Sequence, residues 1–291
     1  MDIEEIKSKK SIKELIQFSI INIDKSSGPT SFWTSQFVKR SLDLKKTSHL
    51  GTLDPQVSGV LPVALNRACR LNEYLMHRNK TYVGIMRLHG KVSLSDLKKE
   101  MQNFVGEIIQ LPPVRSRVKR AERTRKIETF NILEIKGKDV LFESDVQAGT
   151  YIRKLIHDLG EKMGGAHMLE LRRTKAGLFD EQDKYYPIVN LYDFKKAIEE
   201  YKLGNDEALR EILIPGEIIS TILPIVQIRK DVVKKALTGS PIFPSFLKNT
   251  DEIKKLKEND KICIFCDDKF IGVYNYIGKE NLTAKPEFVL N

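Results

Sequence analysis

Cysteine is scarce in this sequence: Cys69, Cys263 and Cys266 are all there is. Three thiols cannot pair fully, so a disulfide scaffold is excluded, and a reducing, cytoplasmic setting is expected. Long apolar runs are missing too. No stretch reaches the roughly 18 apolar residues a membrane span needs. The start, "MDIEEIKSKKSIKELI", is charged throughout and offers no apolar core for a signal peptide, so none is expected. The five histidines are scattered, without HExxH or any other metal-ligating spacing. Cys263 and Cys266 form a CxxC, but no second Cys or His pair lies near it, so no metal site is expected. Ile262, Ile264 and Phe265 around them read as a buried strand, with both cysteines in the core. Internal repeats and low-complexity tracts are absent.

Acid is in deficit. Lys and Arg number 49 against 39 Asp and Glu, for a net charge of +10 and a pI near 9.3. Such a balance favours a polyanionic partner, nucleic acid first and an acidic membrane surface second. With 291 residues, 41% of them hydrophobic, the chain can build one large domain and a small one.

Patterns along the chain predict a mixed α+β fold. "FSIINI" (18–23), "GVLPVAL" (59–65), "TYVGIMRL" (81–88), "FNILEIKG" (130–137), "DVLFESDV" (139–146) and "HMLELRRTKAGLF" (167–179) read as strands. A hairpin is expected across Gly137–Lys138. Thr30 or Ser31 can cap a helix running to about Leu42, and Ser93 or Ser95 can open another. "RACRLNEYLM" (67–76) reads as one helix. From Tyr151 to Met163, Ile152, Leu155, Ile156, Leu159 and Met163 form one apolar stripe, read as core. Asn190 to Leu213 is mostly helical. Composition changes between Pro215 and Pro224, which predicts a large domain over 18–218 and a compact β-rich module over 220–291.

"HLGTLDPQVSGVLP" (49–62) isolates one carboxylate. No other Asp or Glu occurs from residue 44 to residue 64. Asp54 could cap a turn, because Asp before Pro is a common turn former. It could bind a metal, but a hard cation needs more than one such ligand. It could act on a substrate as a nucleophile or base held by a nearby cation. "PPVRSRVKRAERTRK" (112–126) carries seven Arg or Lys from Arg115 to Lys126 against one Glu. Arg115, Arg117 and Lys119 alternate, so an extended chain would present them on one face, beside Arg120, as a strip for phosphates. Tyr82 is a strand aromatic. Arg153 falls in the first turn of its helix, where a cation opposes the helix dipole and calls for an anion. Asp54 is a candidate only if the fold joins them.

"GTLDPQVSGVLPVAL", "KTYVGIMRLHG", "GTYIRKLIHDLG" and "GGAHMLELRRTKAGLF" stand in the order and spacing of the TruB family of RNA pseudouridine synthases. "INIDKSSGPTS" resembles that family's opening motif. "RLHG", a helix and then "LPPVRSRVKR" are similar to the archaeal and eukaryotic dyskerin branch. Residues 220–291 resemble, more weakly, a PUA RNA-binding domain. "SHLG" before the Thr–Leu–Asp and "PTSFWTSQF" without the usual His depart from the branch's pattern.

The resemblance implies a pseudouridine synthase fold: a mixed, largely antiparallel central sheet with flanking helices, plus the PUA domain. Residues 1–17 would pack on that domain. It implies an isomerase that breaks a uridine's C1′–N1 bond, rotates the base and joins C5 to C1′, without metal or organic cofactor. Asp54 would be the catalytic Asp, Arg153 its partner and Tyr82 the aromatic that stacks on the target base. His49, Tyr151 and Leu171 would line the pocket, with Arg115, Arg117, Lys119 and Arg120 on RNA backbone. In the dyskerin branch a box H/ACA guide RNA selects the uridine in rRNA or tRNA. The implied protein partners are a small zinc-binding scaffold subunit, a Gly/Arg-associated subunit and a kink-turn-binding protein. A stand-alone tRNA pseudouridine synthase and a non-catalytic RNA-binding scaffold are the alternatives.

Overall fold

Alternation along Lys80–Leu88 sets where the central sheet is covered. Lys80, Tyr82, Gly84, Met86 and Leu88 are buried, while Thr81, Val83 and Ile85 between them are only half-buried. Side chains on a strand point to opposite faces in turn, so one face of this strand meets a core and the other does not. The computed structural model describes residues 1–112 and 119–291. It divides into two compact units, Ile20–Leu65 with Asn72–Ile212, and Met1–Ser19 with Asn66–Leu71 and Leu213–Asn291.

The first unit is built on β1 (Ser19–Lys25), β2 (Thr47–His49), β3 (Ser58–Leu65), β4 (Lys80–Leu88) and β5 (Gly106–Gln110). The same sheet continues with β6 (Arg123–Lys136), β7 (Asp139–Val146), β8 (Ala166–Ala176), β9 (Phe179–Asp180) and β10 (Ile188–Asn190). The main path runs β10-β1-β3-β8-β4-β7-β6-β5, with β2 on β3 and β9 on β8. Pairings are antiparallel except β1 with β10 and β3 with β8. Gly137, at φ +65°, turns the chain between β6 and β7 as the hairpin reading predicts.

Leu155, Ile156 and Leu159, on the helix Ile152–Lys162, cover the buried face, joined by Leu97 and Met101 from the helix Leu94–Asn103. They pack on Tyr82 and Met86 of β4, Phe130 of β6 and Phe142 of β7. Each fully buried aliphatic contributes about 2 kcal/mol of apolar burial. Ser93 caps the second of these helices through its hydroxyl. Thr30 caps the helix Ser31–Ser41 by accepting from Trp33 N at 3.0 Å.

The single helix expected over 67–76 is instead a 3-10 segment, Asn66–Leu71, followed by a short α-helix, Asn72–Leu75. Asn66 takes φ +43°, and the Asn72 amide donates to Ser48 Oγ, so the segment is fixed by its ends rather than by its own periodicity.

In the second unit, β11 (Ile225–Gln227), β12 (Lys261–Cys266), β13 (Lys269–Lys279) and β14 (Leu282–Val289) pair in sequence order. Phe18 stacks on Phe270 at 5.4 Å and reaches Phe288 at 6.3 Å. Gly216 leaves room for the Phe18 ring, since a Cβ there would lie 2.6 Å from it. Lys9 pairs with Asp268 and Lys10 with the buried Glu217, each at 2.5 Å. Arg67 donates to the Val289 carbonyl at 2.6 Å. Cys263 and Cys266 are buried in β12, and burial pushes the Cys263 thiol up to about 12. Among the described residues no helix is long and apolar enough to cross a membrane.

Candidate active site

Between β2 and β3 the chain forms a closed loop. Leu50 N donates to Pro62 O at 2.9 Å, and Val57 N donates to Asp54 O at 3.0 Å. The second bond makes Asp54–Val57 a β-turn with Pro55 in the position whose fixed φ suits it. Asp54 therefore does begin a turn, but its carboxylate is used elsewhere.

The backbone around Asp54 is held from several sides. Ser31 Oγ accepts from Leu53 N at 2.8 Å and donates to Leu53 O at 3.0 Å. Its hydroxyl thus grips the residue before Asp54, while Thr30 does the capping. Gly28 N donates to Pro55 O at 2.8 Å. Lys25 is fully buried, and its ammonium donates to the carbonyls of Ser26, Pro55 and Val57 at 2.8, 3.0 and 2.7 Å. Burial pushes the Lys25 pKa down, Asp54 opposes this, and Arg173 adds to it.

Arg153 Nη2 lies 2.6 Å from Asp54 Oδ2. The fold thus supplies an anion to the cation at this helix N-terminus. Both side chains are about half exposed, so the pair is worth only about 1 kcal/mol of stability; what it fixes is orientation. Tyr151, at the N-cap position, makes no side-chain cap bond. Gln110 at the end of β5 instead holds the backbone of Tyr151 itself. Its Oε1 accepts from Tyr151 N at 3.0 Å and its Nε2 donates to Tyr151 O at 3.3 Å.

Tyr82 and Leu171 are both buried and share one core with Leu53 and Ile152, the immediate neighbours of Asp54 and Arg153. Gly84 pairs with Leu171, and a Cβ on it would come within 3.0 Å of Leu171 Cδ1 and 2.8 Å of Phe142 Cζ. His49 ends β2 with Nε2 3.2 Å from Thr52 Oγ1. Burial, then the Arg173 charge, lowers its pKa, so the ring is neutral at pH 7. Among the described residues no three His, Cys, Asp or Glu are grouped to hold a metal ion.

Of the basic strip, Lys119 and Arg120 are exposed, and Arg115 and Arg117 lie outside the described residues. Nothing in the sequence patterns singles out Lys25, Gln110 or Arg173, and Ser31 is read there only as a possible helix cap. Lys25 and Ser31 do fall within "INIDKSSGPTS", where a lysine closing an apolar strand is the one usable signal.

Residues 39–152 match the TruB family pseudouridylate synthase (N terminal domain), and residues 153–220 the tRNA pseudouridylate synthase B C-terminal domain. The chain belongs to the TruB family. It is a pseudouridine synthase, an enzyme that converts uridine to pseudouridine in RNA. A "Probable tRNA pseudouridine synthase B" of Thermococcus kodakarensis is 47% identical over 249 residues, 85% of this chain and 73% of that one. Another of that name, from Methanopyrus kandleri, is 43% identical over 278 residues, 94% of this chain and 80% of that one. Among solved structures, a chain of "a Cbf5-Nop10-Gar1 Complex" matches this synthase with TM-score 0.86 and 38% identity, covering 97% of this chain and 88% of that chain. A chain of an "H/ACA RNP bound to a substrate RNA containing 2'-deoxyuridine" matches at TM-score 0.85 and 36% identity, covering 98% and 89%.

Proposed function

We propose that this synthase acts on uridines chosen by a box H/ACA guide RNA, with Asp54 as the catalytic carboxylate. The observation that carries the guided reading is the likeness to chains solved within H/ACA complexes, which spans 97–98% of the sequence at 36–37% identity. Asp54 acts on the target nucleoside while Arg153 orients its carboxylate through the 2.6 Å pair. Tyr82 offers its ring to the flipped base, and Leu171 forms an apolar wall. His49 stands near the base as a neutral imidazole, and Tyr151 completes the pocket. Lys119 and Arg120, with Arg115 and Arg117, follow the RNA backbone.

Residues 220–291 serve as a PUA module that holds the ACA end of the guide, with residues 1–17 packed on it. The grouping of Met1–Ser19 with Leu213–Asn291 in one compact unit supports this division. Partners of the guided enzyme are the small zinc-binding scaffold subunit, the Gly/Arg-associated subunit and the kink-turn-binding protein. The second reading, a stand-alone tRNA enzyme, is favoured by the names of the curated relatives.

One experiment separates the two. Pseudouridine formation is measured on a labelled uridine RNA and on unmodified tRNA, with and without guide RNA and partner subunits. The guided reading expects turnover of the guide-matched uridine to rise with guide and partners present. Activity on tRNA without guide can coexist with the guided reaction; guide and partners failing to raise turnover of the guide-matched uridine would overturn the guided reading in favour of the stand-alone enzyme.

A further inference from the structure

Arg173 is among the largest fully buried side chains, yet it pairs with no carboxylate among the described residues. Its hydrogen bonds go to backbone carbonyls. Nε donates to Val60 O at 2.8 Å, and Nη2 donates to Gly51 O at 3.0 Å. Gly51 lies before Asp54 and Val60 after it, so one planar guanidinium spans both arms of the loop that carries the carboxylate.

The backbone of the same residue is equally committed. β8 pairs Arg173 with Gly59 on one side and with Tyr82 on the other. A Cβ at Gly59 would sit 2.1 Å from the Arg173 carbonyl oxygen, so β3 and β8 touch there without slack. Leu171 is two residues away on β8. Arg173 is thus bonded to the Asp54 loop, to the strand of Tyr82 and to the strand of Leu171.

Stability alone does not account for it. Lys80, also buried, flanks Gly51 from another side: a Cβ on Gly51 would be 3.4 Å from Arg173 Nη1 and 3.7 Å from Lys80 Cε. The Lys80 ammonium donates to the carbonyls of Met76 and Arg78 and, among the described residues, pairs with no carboxylate. Two buried cations side by side without a carboxylate are costly, and apolar residues of similar volume would pack at less expense. What an apolar residue could not do is donate to the carbonyls of Gly51 and Val60 from one rigid fork.

We propose that Arg173 is a positioning residue for pseudouridine formation, its guanidinium fork fixing the reach of Asp54 toward a nucleoside stacked on Tyr82. The proposal rests on Asp54 being the catalytic carboxylate. Arg173 touches neither base nor sugar in this role. It sets the separation between the loop and the two pocket strands, and a misplacement of about 1 Å at a reacting group costs on the order of a hundredfold in rate.

Arg173→Lys keeps the buried charge and removes the fork. Single-turnover rates at saturating RNA, RNA affinity and melting temperature are measured for the full chain, with rates normalised to the RNA-binding fraction. The expected result is a rate lower by about a hundredfold with RNA affinity within about threefold. Arg173→Gln, which keeps one planar donor but loses the two-armed fork, is the second variant and should be slowed to a similar degree. A rate for Arg173→Lys within threefold of wild type overturns the proposal, as does a loss confined to affinity. If Arg173→Lys does not fold, Arg173→Gln decides, and a rate within threefold of wild type again overturns it. Asp54→Asn in the same assay keeps the premises apart: if that variant turns over normally, the reading of Asp54 fails, whatever Arg173 does.

Discussion

At the scale of single residues, the site depends on how little surrounds one carboxylate. Asp54→Asn is expected to lower turnover by at least about a thousandfold while RNA affinity stays within about threefold, because binding is spread over many phosphate contacts. Parallel assays of pseudouridine formation and RNA binding check this, and activity within tenfold of wild type would remove Asp54 from the chemistry. Arg153→Ala should cost about a hundredfold in rate but at most about 1 kcal/mol in stability, since the pair is half exposed. Arg153→Lys should recover only part of the rate, because an ammonium lacks the planar fork; a fully active Lys variant would mean that charge alone suffices. Asp54 was legible in the sequence because it stands isolated among apolar and stiff residues. Arg173 was not, because "LRRT" offers two adjacent arginines and only the folded register separates them. Arg172 pairs with Asp24 and Glu181, whereas Arg173 turns to the Asp54 loop.

At the scale of elements, alternation and helical stripes carried the reading. β4 and the helix Ile152–Lys162 follow their sequence patterns because each buries one face against the other. The stretch from Asn66 to Leu75 does not: it breaks after Leu71, where the chain leaves one compact unit for the other. The tie from Gln110 to Tyr151 spans 41 residues, and no local pattern announces it. Gln110→Ala leaves the backbone N–H and C=O of Tyr151 without these partners. It should lower unfolding free energy by about 1–3 kcal/mol in urea titration and slow the reaction through Arg153, two residues on. Unchanged stability would mean that water replaces the amide fully. Gly84→Ala should destabilise by a similar ~1–3 kcal/mol, because its Cβ would press on Phe142, on the Glu170 carbonyl oxygen and on Leu171. Phe142→Leu should recover only part of that loss, because the backbone carbonyl cannot give way; full recovery would leave Phe142 as the sole cause.

At the scale of the whole molecule, charge and chain order matter most. If Lys119 and Arg120 each hold a phosphate, replacing both by Ala should flatten the log–log salt dependence of RNA binding by about 1.4; an unchanged slope would clear them of the role. Stability should also carry a signature of Lys80. Its ammonium is pushed down to about 8 from an ordinary 10.5, by burial first and then by Arg173. Between those values the unfolded chain binds more protons than the folded one, so this group makes unfolding free energy rise with pH across the window. Below pH 8 the full cost remains, on the order of 3 kcal/mol. The difference between wild type and Lys80→Met, followed by urea titration from pH 7 to 10.5, isolates that rise, and a flat difference would contradict it. The two-part division was readable from composition near Pro215–Pro224, but the return of Asn66–Leu71 to the second unit was not, because it is made by contacts such as Arg67 with Val289. That interleaving bears on how the protein is made. Phe18 leaves the ribosome long before Phe270 and Phe288, the rings it packs against, have been synthesised. At about 5–20 residues per second, roughly 4–15 s separate the synthesis of Ile212 from that of Phe288, time in which Ile20–Leu65 and Asn72–Ile212 can fold first. The opening segment of the chain is therefore among the last to find its place, and until then its aromatic ring is open to chaperones.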